Sequence, residues 1–527
     1  MHRMPFRFPL ALTLGWMLAA TAVADAGDGP RSANLVTLDL GAAAAERAPP
    51  AGLALAGDAE FGTLGDGSSE VAGRGIRLVV GVDVNGDGRH EGSATTTVGS
   101  IGPAHGRWFR FRVRGLAQDD FVVDANDLYL KVDFLRDGGR DALDGVKQEL
   151  YPLVVVERLA LADPGTNKRL GRAVWRSYDM VFRTPFPDVD TLRLTVGFGH
   201  GRPNGPRGEF QVAELDLRPI PVPDGYEAPQ PPPAGRPKAD AAAMVPLGGR
   251  WYFDPRGGDR TPPAEFTAAN ADRLFYLSDR LECPFADNMS AWLRKGWIDA
   301  AGTVVEADRP VPDNVVVSFT GTHLLVTSHN LPNHPTAVFP DVNRSLDGNP
   351  NPIRERVTTM RFPLEPRVNP QHVAMKDKNN NDHALPMGPI GVAVNGVVFF
   401  NPFDHLLDAD AVWRLDRCCG HPSPRAQYHY HKYPVCVKSP WADDGGGHSP
   451  LIGFANDGYP VYGPYESAGV LARNEAGNPL NEFNLHEDPE RGPHYHVTPG
   501  RFPHIIGGFW GVAEPRRPPG GGPPRPR

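Results

Sequence analysis

Short runs in which apolar and polar positions alternate recur from residue 33 to about residue 222, at 76–84, 108–113, 127–134, 153–159, 191–198 and 210–217. Gly, Asp or Pro bounds each run, and a period of two turns one face of a segment toward a core and the other toward water. Strands at this spacing predict a β-sandwich of jelly-roll-like type over 33–222. The pattern stops at 223–240, which holds EAPQPPPAGRP, a Pro-rich stretch whose extended backbone suits a semi-rigid linker. Beyond it, apolar positions near 3.6-residue spacing at 268–281 and 289–298 predict short helices leading into a second, β-rich and loop-rich domain over 241–512. Residues 315–319 and 324–326 read as strand, turn and strand around Thr320-Gly321-Thr322. The last stretch, PRRPPGGGPPRPR, has no side chains to build a core, and 513–527 is expected to be a disordered tail.

Composition narrows this picture. In 527 residues, 59 Gly and 56 Pro exclude a fold dominated by long helices, so the chain is expected to be mainly β. A formal net charge of −8 argues against a nucleic-acid partner, which would need a basic excess to compete for phosphates. Arg3 and Arg7 flank the start of an apolar stretch that ends near Ala22-Val23-Ala24, the small-x-small form of a signal-peptidase site. Residues 1–24 therefore read as a signal peptide, and the protein as exported, periplasmic or secreted, with no membrane span. In an oxidising compartment the four cysteines, Cys283, Cys418, Cys419 and Cys436, suggest disulfides. A bond between the neighbours Cys418 and Cys419 would be strained, which leaves Cys283 with one of them and Cys436 with the other. A thiolate metal site is the alternative, without a CxxC pair to support it.

Asp83-Val84-Asn85-Gly86-Asp87-Gly88-Arg89-His90-Glu91 places side-chain oxygens at positions 1, 3, 5 and 9 and a Gly at 6, as a loop wrapping Ca2+ requires. The ligands would be Asp83, Asn85, Asp87, the Arg89 carbonyl and Glu91. This loop resembles those of dockerins and integrin-type repeats, although Glu91 stands where Asp is usual. An Asn-Gly/Asp-Gly hairpin turn uses the same residues and stays open as the alternative.

Histidine carries the clearest chemistry: 14 of the 18 fall between His323 and His504. Two HxH pairs, His429-Tyr430-His431 and His494-Tyr495-His496, would on strands turn both imidazoles to one face and the tyrosine to the other. Imidazoles so placed suit a transition metal, with Zn, Cu and Fe undecided. His421, His448, His486 and His334 are further candidate ligands. A hydrogen-bonded His–Tyr network without metal is the structural alternative. GxSxG, P-loop and HExxH motifs are absent from the sequence, so no nucleophile or phosphate chemistry competes.

Tyr428-His429-Tyr430-His431 resembles the naming motif of the YHYH-domain proteins. The likeness extends to SHNLPNH at 328–334, GPIGVAVNGVVFFNPF at 388–403, CGHPSP at 419–424, HSPLIGFANDGYPVYGPY at 448–465 and HYHVTPGRFPHIIGGFWG at 494–511, and covers roughly 310–512. Phe483 and Gly508 stand where the family pattern usually has Cys, which implies one disulfide fewer here. The resemblance implies an exported protein and brings no established reaction. Three functions fit: binding of a transition metal, with calcium in the sandwich; adhesion or binding of a polysaccharide or cell-surface polymer without catalysis; and a secreted metal-dependent oxidoreductase or hydrolase.

Overall fold

The computed structural model describes residues 36–40, 49–65, 73–80, 92–99, 101, 106–117, 128–136, 140–141, 146–149, 175–198, 208–223, 241–279, 281–298, 304–334, 336, 339, 349, 351–375, 384–403, 415–416, 418–437 and 443–513. The signal peptide, the calcium loop at 83–91, the run at 153–159, residues 224–240 of the Pro-rich stretch and residues 514–527 of the expected tail lie outside these residues. Residues 34–527 cluster as one unit.

Two six-stranded sheets form the N-terminal sandwich. Trp108–Ala117 shows why its sequence makes a strand: Phe109, Phe111 and Val113 are buried while Arg110, Arg112 and Arg114 alternate toward solvent. It pairs antiparallel with Arg176–Arg183 and Gly208–Ile220. The facing sheet is built on Thr191–Phe198, between Gly92–Val98 and Leu128–Arg136. Ile76, Leu78, Phe109 and Phe111 of one sheet meet Leu130, Val132, Leu194 and Val196 of the other in a single core. Gly92–Val98 and Arg176–Arg183 escape the sequence reading because SATTTV and RSYDM alternate small or charged residues too weakly to stand out.

The expected helices at 268–281 and 289–298 are not formed. Leu274–Leu277 is a strand between Trp251–Phe253 and Leu281–Glu282, and Ala291–Ile298 pairs with Val304–Val311. Leu274, Phe275 and Tyr276 are all buried, so both faces of this segment are apolar, and a 3.6-residue pattern cannot be told from a doubly buried strand. Its aromatic residues then favour the strand. Helical structure among the described residues is confined to 3-10 turns such as Ala271–Arg273 and Ala286–Asn288. None of these is long and apolar enough to cross a membrane.

An eight-stranded sheet organises the C-terminal region. Its strands are β1 (Pro389–Ala393), β2 (Val398–Phe400), β3 (Gly420–Pro422), β4 (Tyr428–Tyr430), β5 (Leu451–Ala455), β6 (Pro460–Tyr462), β7 (Leu485–Asp488) and β8 (Gly492–His496). The order across the sheet is β3-β4-β2-β1-β5-β6-β8-β7. β1 and β5 are central and nearly all buried, which their continuous apolar sequences PIGVA and LIGFA require. One face packs Val397, Phe399, Ile452 and Val461 into one core, and the other packs Val392, Val394, Phe454 and Tyr462 into a second.

The strand Tyr465–Ser467 leaves this region and inserts Tyr465 into the sandwich core, where it stacks at an angle against Phe186 at 6.3 Å. The Tyr465 hydroxyl donates to the Pro185 carbonyl at 3.1 Å, and Arg473 pairs with Asp188. Arg136 of the sandwich donates to the Gly500 carbonyl at 3.2 Å.

Cys418 and Cys436 form a disulfide. The second bridge expected for Cys283 does not form: Cys283 and Cys419 are buried thiols. Cys283 packs with Met244 and Phe275, its Sγ 3.7 Å from the Asp272 carbonyl, and behaves as a small apolar side chain. Non-reducing mass mapping of the unfolded chain is therefore expected to find Cys283 and Cys419 alkylated and Cys418 linked to Cys436. Cys436→Ser should cost on the order of 3 kcal/mol. A Cys283-containing linked peptide would overturn this pairing.

Candidate metal centre

In β4 the two-residue period turns His429 and His431 to one side of the sheet and Tyr430 to the other, and β3 sets His421 directly opposite His429. The three imidazoles converge. His429 Nε2 lies 2.9 Å from His431 Nε2, and His421 Nε2 lies 3.1 Å from it. The Nδ1 atoms face carbonyls, His429 donating to Gln427 at 2.9 Å and His431 to Asn401 at 2.6 Å. A neutral ring that donates from Nδ1 has a bare lone pair on Nε2. Burial holds both rings well below the ordinary imidazole range, with the neighbouring histidines adding to the effect. Phe400 stacks on His429 at 3.8 Å and fixes its plane.

β7 and β8 repeat this arrangement, with His486 opposite His494. His486 Nε2 is 3.0 Å from His494 Nε2, and His448 Nε2 is 3.4 Å from the same atom. All four rings donate from Nδ1 to carbonyls: His448 to Ser449 (2.8 Å), His486 to Asn478 (2.8 Å), His494 to Gly492 (2.7 Å) and His496 to Gly463 (2.6 Å). Glu466 completes the group, its Oε2 3.1 Å from His486 Nε2 and 3.3 Å from His496 Nε2. Glu466 Oε2 and His496 Nε2 are nevertheless buried without a properly angled hydrogen bond.

Electrostatics separates these rings. Burial pulls His448 far down and His494 down to about 3, and lowers His496 against the pull of Glu466. Burial opposes the proton on His486 too, but Glu466 and the Asn478 carbonyl outweigh it and raise that ring. Glu466 is in turn held far below the carboxylate range: burial acts upward, and the His486 and His496 contacts overcome it.

Converging bare nitrogens repel unless a cation stands among them. Around an ion with bonds of ~2.0–2.1 Å, adjacent ligand nitrogens stand roughly 2.9–3.4 Å apart in octahedral or tetrahedral geometry, which is the spacing seen in both groups. His421, His429 and His431, and separately His448, Glu466, His494 and His496, bring one ligand atom each within 4.8 Å of one another. His486 adds a fifth side chain to the second group through its contacts with Glu466 and His494.

The histidines singled out in the sequence thus fall into two groups at opposite ends of one sheet. His334 belongs to neither. Its Nε2 lies 2.6 Å from the Tyr430 hydroxyl, on the side of β4 turned away from His429 and His431, because residue 430 has the opposite parity. Cys418 and Cys436, whose sulfurs lie within 4.8 Å of a ring nitrogen of His334, are committed to their bridge. Glu466 escapes sequence reading, since YES carries no motif and the residue reaches the group only because β6, four residues before it, pairs with β8. Gln427, Asn401, Gly463 and Gly492 also escape because they act through backbone carbonyls. Phe483 and Gly508, the positions where cysteines were expected, touch: a Cβ on Gly508 would lie 3.1 Å from the Phe483 ring.

A family model described as "YHYH protein" matches residues 359–477, so the C-terminal half carries a YHYH domain; the matched span is narrower than the 310–512 of the motif resemblance. Comparison with curated proteins finds no match. Among solved structures, the enzymatically active domain of tailspike protein 4 from bacteriophage CBA120 is similar at 13% identity, over 36% of this chain and 21% of that one, with a TM-score of 0.23. The CBM22-1 xylan-binding domain of Paenibacillus barcinonensis Xyn10C is similar at 8% identity, over 37% of this chain and 100% of that one, with a TM-score of 0.22. TmCBM61 in complex with β-1,4-galactotriose shows 12% identity over 36% of this chain and 100% of that one, also with a TM-score of 0.22.

Proposed function

We propose that this protein binds a transition metal through the histidines of its C-terminal region, and that the group of His448, Glu466, His486, His494 and His496 is its best-built centre. One observation carries the reading: a buried carboxylate oxygen and a buried imidazole nitrogen, Glu466 Oε2 and His496 Nε2, face each other at 3.3 Å without a hydrogen bond, inside a ring of nitrogens already oriented by carbonyls. A polar network serving only structure would satisfy these atoms. A metal ion does so at once, and the Nδ1 bonds hold each ring in the ligating tautomer. Imidazoles with one carboxylate suit Zn, Cu or Fe.

Elemental analysis of the chain, purified without a His tag, stripped with chelator and refilled, should show metal retained through gel filtration. His494→Ala/His496→Ala should lose most of what this centre holds. A wild-type chain that retains no Zn, Cu or Fe contradicts the reading.

Export through residues 1–24 and calcium at Asp83, Asn85, Asp87, Arg89 and Glu91 belong to the same proposal. Three carboxylates within nine residues repel one another until a cation binds, and extracellular loops of this kind hold calcium at ~10⁻⁴–10⁻³ M. Calcium at ten times such a constant should stabilise the full chain by about 1.4 kcal/mol. Thermal melts with and without chelator test this, and Asp87→Ala should abolish the gain. Unchanged melting on chelation reduces the loop to a hairpin turn.

A further inference from the structure

The eight-stranded sheet reads the same from either edge. Its pairings run antiparallel, parallel, antiparallel from β3 to β1, antiparallel between β1 and β5, then antiparallel, parallel, antiparallel from β5 to β7. The sequence follows the same symmetry. Residues 389–402, PIGVAVNGVVFFNP, align without a gap on 451–464, LIGFANDGYPVYGP, 62 positions later. Residues 416–431, DRCCGHPSPRAQYHYH, align on 481–496, NEFNLHEDPERGPHYH, 65 positions later. The central pair Val392 and Phe454 are partners across β1 and β5 and also equivalents in the alignment, so a two-fold axis passes between them.

Hydrogen bonds repeat with the sequence. His431 donates to the carbonyl of residue 401 and His496 to that of 463, both at 2.6 Å. His429 and His494 each donate to the carbonyl two residues before. The Oδ1 of Asp416 accepts from the amides of 418 and 420, and that of Asn481 from 483 and 485. Tyr430 is anchored by Asn395 at 2.9 Å and Tyr495 by Asp457 at 2.6 Å, from equivalent turns whose glycines, Gly396 and Gly458, have φ of 81° and 89°. A Cβ on Gly391 would sit 2.4 Å from the Phe454 carbonyl oxygen and one on Gly453 2.3 Å from that of Val392, so the axis itself demands glycine in both copies. Sequence, register, strained turns and ligand-orienting bonds coincide at independent positions, which rules out a chance likeness of two HxH motifs.

We infer that this domain is a tandem duplication of one metal-binding half, and that the chain carries two separate mononuclear transition-metal centres, one per copy. Among the described residues the first copy's centre is His421, His429 and His431; the second copy keeps the equivalent His486, His494 and His496, with His448 and Glu466 beside them, and the sequence holds a carboxylate, Asp404, 62 positions before Glu466. From β4 to β8 are five inter-strand steps of ~4.8 Å, so the centres stand about 24 Å apart. Ions bridged in a two-metal site stand ~3.5–4 Å apart, so the two cannot share a substrate oxygen. At that distance in physiological salt their charges are screened from each other, and each should fill independently of the other.

The inference rests on the metal reading above, and metal counting separates the two. Refilled with zinc, the full chain should hold two ions by native mass spectrometry. His429→Ala/His431→Ala and His494→Ala/His496→Ala should each hold one, and the fourfold variant none. One ion in the wild type, lost in both double variants, would mean a single shared centre and overturn the inference alone. One ion that survives His429→Ala/His431→Ala would overturn the first copy's centre. No ion in the wild type would overturn the metal reading itself. If either variant fails to fold, pulsed electron paramagnetic resonance on the wild type loaded with Cu2+ decides: a copper–copper distance near 24 Å is expected, and an exchange-coupled pair below 5 Å refutes it.

Discussion

Zinc at a thousandfold excess over its dissociation constant for the β7/β8 centre is expected to stabilise the metal-free chain by about 4 kcal/mol, because the unfolded chain cannot assemble the ligands. Glu466→Gln should remove most of that gain. Its amide keeps the volume of the side chain but offers no charge to a divalent ion. A hundredfold weaker affinity corresponds to about 2.8 kcal/mol. Without metal the same substitution also loses the ion pair with His486, so the reading is the difference between the melts with and without zinc and not the absolute stability. Tyr465→Phe is the control for position. It removes the bond to the Pro185 carbonyl but leaves the ring in the sandwich core, so the strand bearing Glu466 stays docked and most of the zinc gain should survive. Thermal melts of the three proteins with and without zinc read the differences directly. Equal gains in wild type and Glu466→Gln would show that this carboxylate takes no part in holding the ion.

Why the β fold was readable from the chain while its centre was not follows from where each signal lies. Alternation in 108–113 and 191–198 is local, and local burial decides it. The run LFYL at 274–277 fits a helical pattern because a strand buried on both faces loses its alternation. For the histidines, parity within HYH placed the tyrosines correctly on the opposite face, but nothing local separates His429 and His431 from His494 and His496. Their division comes from sheet order, which sets β1, β2, β5 and β6 between them. The internal repeat was present in the sequence as offsets of 62 and 65. Identical residues at five of the fourteen positions in the first block and five of the sixteen in the second are too few to see without aligning the chain on itself. Glu466 lies in no motif, and its only sequence signal is the same repeat, which sets Asp404 62 positions before it.

The two copies also differ at one buried position in a way that predicts a large and pH-dependent effect. Asp457 Oδ2 accepts from the Tyr495 hydroxyl at 2.6 Å and the Gly511 amide at 2.9 Å, and Oδ1 accepts from the Tyr459 amide at 3.3 Å. Its equivalent in the first copy is Asn395, whose Nδ2 donates to the Tyr430 hydroxyl. Burial raises the Asp457 carboxyl to about 6, more than its hydrogen bonds lower it. Since the folded-state value lies above the unfolded one near 3.9, the protonated side chain favours folding. That contribution is complete below about pH 4 and is lost as pH rises through 6. At pH 7 the buried charge then costs on the order of 3 kcal/mol. Asp457→Asn removes this cost and can still present an oxygen to Tyr495 and Gly511, so it should flatten the dependence of stability between pH 4 and 6 and at pH 7 lose little or gain. Asp457→Ala leaves the Gly511 and Tyr459 amides without their acceptor and the Tyr495 hydroxyl with only the longer Gly508 carbonyl contact at 3.4 Å, so at pH 4, where no charge cost offsets the loss, it should cost about 3–5 kcal/mol, with β8 and its histidines loosened first. Denaturant unfolding at pH 4, 5, 6 and 7 distinguishes the two. If Asn and Ala destabilise equally at pH 7, the negative charge itself is what this position requires, and the resemblance to Asn395 is one of shape only.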